Sequence, residues 1–430
     1  MAIRVRLGDV ADILTGFSFK SDGFTTAAAD PSLLRGDNVG QGVLKWDGAK
    51  HWPARDIDES SPYWLAEHDV IVAMDRPWIE AGLKFAAIRQ ADLPALLVQR
   101  VARLKGTSAL DVRFLRYVIG GKAFTDYIVG VQTGTAVPHI SRSQIEAFEF
   151  NLPSLPEQRA IASILGAIDD KIELNRKMSA TLDAVAQALF KSWFVDFDPV
   201  RAKAERRDTD LPKPIADLFP DSFEGSELGE IPKGWQEGSF GSIISQRSER
   251  VGRREAVILS ALASGKLARS ADHFTKRVYS TKTDKYLVVE RWDFAYNPSR
   301  INIGSIGMLE EKILGGVSPV YVVARPKPAY RWFLAFSLRR SYTKTWINAL
   351  ACGSVRQSLS YADFASIPCV VPSEAVAQEF DRTWSILQDG IRSRGAESRI
   401  LAALRDTLLP KLISGELSVA DVGAVVERSA

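Results

Sequence analysis

Three strings in this 430-residue chain come near to catalytic motifs, and each falls short. Asn297-Pro298-Ser299-Arg300 is the nearest match to an Asn-Pro-Pro-Tyr cradle for methylating an exocyclic amine, but it lacks the second proline and the aromatic ring. Asp221 with Glu230-Ile231-Pro232-Lys233 carries one residue too many between acid and lysine for a Mg-dependent nuclease. Gly265-Lys266 is followed by leucine and has no glycine five residues before it, so it is not a phosphate loop. Two cysteines and four histidines offer no metal-ligand spacing, and no metal or cofactor is expected on this chain. The reading is of a chain that is not itself an enzyme.

The chemistry that remains is that of cations on loops. Between Arg247 and Lys285 stand ten Lys or Arg (Arg247, Arg250, Arg253, Arg254, Lys266, Arg269, Lys276, Arg277, Lys282 and Lys285) against four acids, a pattern suited to phosphate oxygens. Tyr279 and His273 sit among them, within reach of sugar or base. A solvated basic face is the competing explanation. Arg300 adds a further loop cation to this half of the chain, while in the other half Lys20, Arg35, Arg76, Lys84, Arg100 and Arg142 are dispersed over predicted loops. Gln132-Thr133-Gly134-Thr135 and Ala351-Cys352-Gly353-Ser354 pair small hydroxyls with a flexible backbone; a helix-stop glycine is the blander reading of each Gly.

Those two loops stand 219 residues apart, and so does much else. Phe114-Leu115 recurs as Phe333-Leu334, Ser141 as Ser360, Pro153-Ser154 as Pro372-Ser373, Asp170 as Asp389, Leu182 as Leu401 and Leu189 as Leu408. A run this long without insertion indicates one module written twice. Upstream the copies match loosely, Glu67-His68-Asp69-Val70 resembling Glu290-Arg291-Trp292-Asp293 only after the displacement changes. Each module mixes short β-type runs (Val70–Ala73, Leu97–Val98, Val320–Val323) with a helical stretch near 112–129 or 330–351, which predicts an α+β fold.

Each module leads into a long helix. From Pro156 to about Phe194, apolar residues alternate by four and three through Ile161, Leu165, Ile168 and Ile172, then Leu182, Ala186 and Leu189, with Asn175 and Ser179 in the middle. The same seam returns as Phe380, Trp384, Leu387, Ile391, Arg394, Ser398, Leu401, Arg405 and Leu408. Matching polar midpoints predict antiparallel pairing with Asn175 near Arg394. About 39 residues at 1.5 Å each give a rod on the order of 58 Å. The expected order is a module at 1–151, a helix at 152–195, a polar linker with five prolines at 196–235, a module at 236–370, a helix at 371–417 and a tail at 418–430.

A net charge of +3, from 55 basic and 52 acidic residues, leaves any attraction to a polyanion to local clusters. A hydrophobic fraction of 46% fills ordinary cores. No run approaches the roughly 18 apolar residues of a membrane span, and the start lacks the apolar run of a secretory signal, so no membrane association and a cytoplasmic location are expected.

Leu152-Pro-Ser-Leu-Pro-Glu157-Gln158-Arg159-Ala-Ile161, Ile168-Asp169-Asp170-Lys171-Ile172-Glu173, Leu218-Phe-Pro-Asp-Ser-Phe223, Glu227-Leu-Gly-Glu-Ile-Pro-Lys-Gly-Trp235 and Leu408-Leu-Pro-Lys-Leu-Ile-Ser-Gly415-Glu-Leu417 resemble the specificity subunit of type I restriction-modification systems. The resemblance implies two target recognition domains separated by two long antiparallel coiled-coil helices in a pseudo-two-fold arrangement. It implies a double-stranded DNA site in two unlike halves, one per domain, with the helices setting the gap. Partners would be two methyltransferase subunits and two restriction translocase subunits, carrying S-adenosylmethionine, ATP and Mg; a coiled-coil scaffold without DNA readout is the alternative. The second helix begins Ala377-Gln378-Glu379 where the first has Pro156-Glu157-Gln158, a departure from the family pattern.

Overall fold

The computed structural model describes residues 3–134, 136–262, 265–273, 282–351 and 358–419. The chain divides into two compact units, 1–176 with 395–430 and 177–394, so each unit takes one module and part of each long helix.

Within the first unit, Ala11–Thr15, Val101–Gly106, Val70–Ala73 and Phe85–Ala87 form a four-stranded antiparallel sheet in that order. Beside it Ser32–Leu34 pairs parallel with Ala95–Leu97. The second unit repeats the design: Ile244–Arg247, Val322–Pro326, Phe294–Tyr296 and Ile306–Met308 form the antiparallel sheet, and Val257–Ala261 pairs parallel with Gly315–Val317. The central strands Val70–Ala73 and Phe294–Tyr296 are buried along their whole length, which is why they read as continuous apolar runs. Val320 lies outside the strand it was expected to begin and is 65% exposed.

The duplication continues upstream of the 219-residue match, at drifting displacement. Glu149–Leu152 and Pro368–Val371 correspond at 219, Phe85 and Ile306 at 221, Val70 and Phe294 at 224, and Ile3–Arg6 and Gln236–Ser239 at 233. The drift is loop length, and it corrects the sequence match around Asp69 by one residue. Asp69 Oδ2 accepts from Ala66 N at 2.9 Å and Asp293 Oδ2 from Glu290 N at 2.8 Å. Each aspartate follows a residue in the left-handed region, His68 (φ 73°) or Trp292 (φ 78°). Asp293 is therefore the counterpart of Asp69, not of Val70.

Each module's predicted single helical stretch is two helices, Val112–Gly120 then Lys122–Val131, and Arg331–Ser337 then Ser341–Leu350. The module's first strand pairs antiparallel with its last, Ile3–Arg6 with Glu149–Leu152 and Gln236–Ser239 with Pro368–Val371, so each long helix leaves from a closed sheet.

The long helices run Leu155–Lys191 and Glu374–Ser414. Ser154 opens the first: its N–H and Oγ both donate to Glu157 Oε2, at 2.9 and 2.7 Å. In the first unit Asp169 meets Arg405 and Asn175 meets Ser398; in the second Leu182 faces Gly390 and Phe190 packs on Phe380. One partner number rises as the other falls, so the pairing is antiparallel in both units. The seam residues Ile161, Leu165, Ile172, Asn175, Phe380 and Trp384 are buried, while Ile168, Leu182, Leu189, Leu387, Ile391, Leu401 and Leu408 are half-buried. Asn175 Nδ2 donates to Glu397 Oε2 at 2.9 Å, and Arg394 Nη1 donates to the Gly390 carbonyl at 3.0 Å.

The connector expected as a linker is folded. It holds the helices Asp198–Ala204 and Lys213–Ala216 and a hairpin of Phe223–Ser226 with Gly229–Pro232. Phe197, Val200, Phe219 and Trp235 bury themselves in the second unit's core, since so many large apolar groups cannot stay in water at low cost. No described helix is long and apolar enough to cross a membrane.

Candidate nucleic-acid interface

In the first unit the chain leaves the central strand at Ala73 into a loop whose crest carries Arg76, Trp78 and Ile79, then returns at Lys84. A second loop docks beneath it: Arg76 N donates to the Pro138 carbonyl at 2.6 Å and Ile140 N to the Met74 carbonyl at 2.9 Å. Thr133 and His139 exchange backbone bonds of 2.9 and 2.7 Å, closing the tight turn in which Gly134 has φ +92°. A Cβ there would lie 2.7 Å from the Val137 carbonyl oxygen, so Gly134 serves this turn, two residues past the helix's Gln132 cap. His139 Nδ1 lies 2.7 Å from Asp75 Oδ1, and Arg100 Nη1 3.7 Å from the same oxygen.

Two residues chosen from sequence, Arg76 and Lys84, are brought together here, with Thr133 on the supporting loop. Burial pushes the Lys84 ammonium below its ordinary value; Asp37 opposes that shift, and neighbouring Arg76 and Lys45 add to it. Arg35 opens the 3-10 turn Gly36–Asn38, its N–H donating to Asn38 Oδ1 at 2.9 Å. Lys20 is exposed beside the turn Ser21–Gly23, with nothing joining it to this cluster. Thr135 lies outside the described residues.

The second unit places Arg300 at the matching crest. Leu359 N donates to the Pro298 carbonyl at 3.2 Å, the counterpart of the Ile140–Met74 bond. Asn297 Oδ1 accepts from Ser299 N at 3.1 Å and so caps the turn Pro298–Ile303, a structural duty for the string that failed as a methylation motif. Ser305 Oγ donates to the Ala261 carbonyl at 2.8 Å, holding the hairpin that carries Lys266 against this loop. Among the described residues Arg76, Arg253, Lys266 and Arg300 form no ion pair. Arg247 and Arg254 are both at 2.8 Å from Glu249, and Arg269 at 2.8 Å from Glu311, so these three are partly committed to protein carboxylates. Lys276, Arg277, Tyr279 and Ser354 lie outside the described residues.

The ionic sites that sequence reading missed are inside. Asp169 accepts from Tyr117 Oη at 2.9 Å, from Arg116 Nη2 at 2.9 Å and from Arg405 Nη1 at 2.8 Å. Asp293 and Glu290 both hold Arg325, through bonds of 2.5 to 2.9 Å. Their partners are 32 to 236 residues away, and no local spacing announces them. Along the first long helix Leu174, Met178 and Val185 are exposed at spacings of four and seven, and on the second so are Ile386, Ile400 and Leu404.

Residues 4–184 match the family model described as the type I restriction modification DNA specificity domain. The chain is 36% identical over 184 residues to the EcoAI specificity subunit of Escherichia coli, covering 42% of this chain and 30% of that protein, so it spans less than a third of that relative's length. It is 24% identical over 324 residues to the MjaIX specificity subunit of Methanocaldococcus jannaschii, covering 72% of this chain and 70% of that one. A solved type I restriction-modification S subunit from M. genitalium superimposes with a TM-score of 0.56 over 96% of both chains at 15% identity, a likeness of fold. With its module written twice around two long helices, the chain is similar to type I restriction-modification specificity subunits in sequence over these spans and in fold.

Proposed function

We propose that this chain reads a bipartite, asymmetric double-stranded DNA site, one half with each module, and presents it to catalytic partners. The observation that carries this reading is the repeated crest: in each unit the loop after the central strand lifts an arginine, Arg76 or Arg300, that has no acidic partner among the described residues. A shared scaffold with unlike loops is what two unlike half-sites require, because phosphate contacts position a reader and a few base-edge contacts specify the sequence. Lys84 adds charge beside the first crest and Thr133 a hydroxyl on the loop beneath it, Lys266 adds charge beside the second, and Arg253, Lys20 and Arg35 are further cations for phosphate.

The long helices set the unspecified gap, so that both modules meet the same groove about one turn, roughly 34 to 36 Å, apart or a multiple of it. Exposed apolar residues on the helices, Leu174, Ile400 and Leu404 in the first unit and Met178, Val185 and Ile386 in the second, offer each unit contacts for a methyltransferase subunit, two in all. Two restriction translocase subunits complete the assembly. Methylation and cleavage, with S-adenosylmethionine, ATP and Mg, reside on those partners, and the complex works in the cytoplasm.

Mapping methylated adenines in the host genome is the direct test: a two-part motif with a constant gap is expected. Duplexes carrying that motif should bind the chain with its methylating partner at low salt and release it as salt rises. Absence of DNA binding at low salt would leave a protein scaffold instead.

A further inference from the structure

The two crests share a second feature that charge does not explain. At the displacement that superposes Arg76 on Arg300, Ile79 falls on Ile303, and both isoleucines are exposed, by 39% and 60%. In the first unit Trp78 stands beside Ile79 and is 40% exposed; the pair is held by a hairpin in which Trp78 opposes Leu83 and Ile79 opposes Gly82. In the second a 3-10 turn buries Ile301 to 3% exposure and leaves Ile303 outside. Each crest then turns back through a left-handed glycine, Gly82 (φ 119°) or Gly304 (φ 88°).

A single exposed isoleucine needs no explanation. Two at equivalent positions, three residues after equivalent arginines and on differently built loops, do. The backbones differ, a hairpin against a 3-10 turn, so the shared apolar tip is not a by-product of one local geometry. Cations flank both tips, Arg76 and Lys84 in one unit and Arg300 and Lys266 in the other.

We propose that Trp78 with Ile79, and Ile303, are base-contacting tips, apolar side chains that press on thymine methyl groups or on the faces of a base step while the adjoining arginine holds phosphate or a guanine edge. This deepens the DNA-reading function and rests on it. The tips specify and the cations anchor.

The experiment uses the full chain with its methylating partner and a duplex carrying the mapped motif. Ile79→Ser and Trp78→Ala should each weaken binding to that duplex about tenfold, the size of one lost base contact. Affinity for an unrelated duplex and the salt dependence should stay unchanged. Ile303→Ser should do the same through the other half-site, so changing base pairs in one half removes the effect of that module's variants only. The variants replace exposed groups, and an unchanged thermal melt checks that they fold. A drop in tryptophan emission on adding the motif duplex, absent in Trp78→Phe, reports the contact without loss of binding. Wild-type binding with all three variants equally tight and no Trp78 signal overturns the inference and leaves DNA reading intact. Failure of the wild type itself to bind the mapped duplex removes the reading beneath it.

Discussion

The two units fasten the long helices to their modules at matching positions with different side chains. In the first, Tyr117, Arg116 and Arg405 converge on Asp169, whose side chain is 12% exposed. The residues at the corresponding positions in the second unit are Phe336, Ala335, Ala186 and Gln388. There Phe336 packs against Phe190, Phe380 and Trp384, at ring-centroid distances of 5.1 to 5.4 Å. At these positions one unit converges hydrogen-bonded charge on Asp169, while the other packs aromatic rings and turns Gln388 outward to donate to Glu310 Oε2 at 2.6 Å; its helix-to-module ion pair stands elsewhere, between Arg331 and Asp381 at 2.6 Å. What the repeat preserves is backbone topology and the meeting point of helix and module, while the means of holding them is free to vary.

Phe380→Ala should be the most damaging single change. The ring is 1% exposed and touches Phe190, Trp193, Phe194 and Phe336, so its removal leaves a cavity costing about 3 to 5 kcal/mol. Denaturant unfolding with near-ultraviolet detection should show the second unit's transition shifted, and a cost below 1 kcal/mol would refute the aromatic fastening. Asp169→Ala should cost the first unit about 2 kcal/mol, less than a fully buried pair because Arg116 and Arg405 keep close to a third of their surface in water. Writing the second unit's residues into the first, as Asp169→Gln with Tyr117→Phe, Arg116→Ala and Arg405→Ala, should cost less than the sum of the single changes, because the charges leave together.

The departure at the start of the second helix has its counterpart inside the fold. Gln158 is 1% exposed; its amide donates to the Ala109 and Pro153 carbonyls, at 3.0 and 2.9 Å, and its Oε1 accepts from Asp111 N at 2.8 Å. The corresponding residue is Ala377, and the carbonyl equivalent to that of Pro153, on Pro372, accepts instead from Tyr330 Oη at 3.0 Å. Gln158→Ala leaves the buried Pro153 carbonyl unpaired and removes the bonds to the Ala109 carbonyl and the Asp111 N–H, and should cost about 2 kcal/mol, whereas Tyr330→Phe loses one bond and should cost about 1. Equal costs in chemical denaturation would mean that the two clasps are not substitutes.

What could be read from residues alone follows from range. Helical seams and buried strands repeat their pattern every few residues, so Ile161 to Leu189 and Val70 to Ala73 declared themselves, and the duplication stood out where no loop changed length. Asp169 and Asp293 did not, because their partners lie far along the chain and a lone aspartate on a helix looks solvated. The connector misled for a related reason: five prolines suggested a linker, while Phe197, Phe219 and Trp235 were already signalling burial. Arg76 and Arg300 were picked as loop cations, but their equivalence needed the strand register, since loops of different length had shifted the displacement from 219 to 224.

The finest comparison is between Asp69 and Asp293, which occupy the same turn with different cations. Asp293 meets Arg325 through two bonds of 2.6 and 2.9 Å, while Asp69 has Lys105 at 3.7 Å. Burial pushes the Asp69 carboxyl above its ordinary value, against the pull of the Ala66 N–H, Lys105 and Arg103. A raised value in the fold means that ionisation is harder there than in the unfolded chain. The resulting penalty is complete at pH above the folded value and vanishes as pH falls through it. Asn keeps an acceptor for Ala66 N–H and does not ionise, so Asp69→Asn should melt slightly higher than wild type at pH 7 to 8, with the gap closing on acidification. This is the smallest of the effects. Asp293→Asn should instead lower the melting temperature at neutral pH, because it removes one of the two oxygens that hold Arg325 and leaves Glu290 as that guanidinium's one carboxylate among the described residues. Melting curves that move in the same direction for both variants would mean that the closer arginine does not distinguish the two turns.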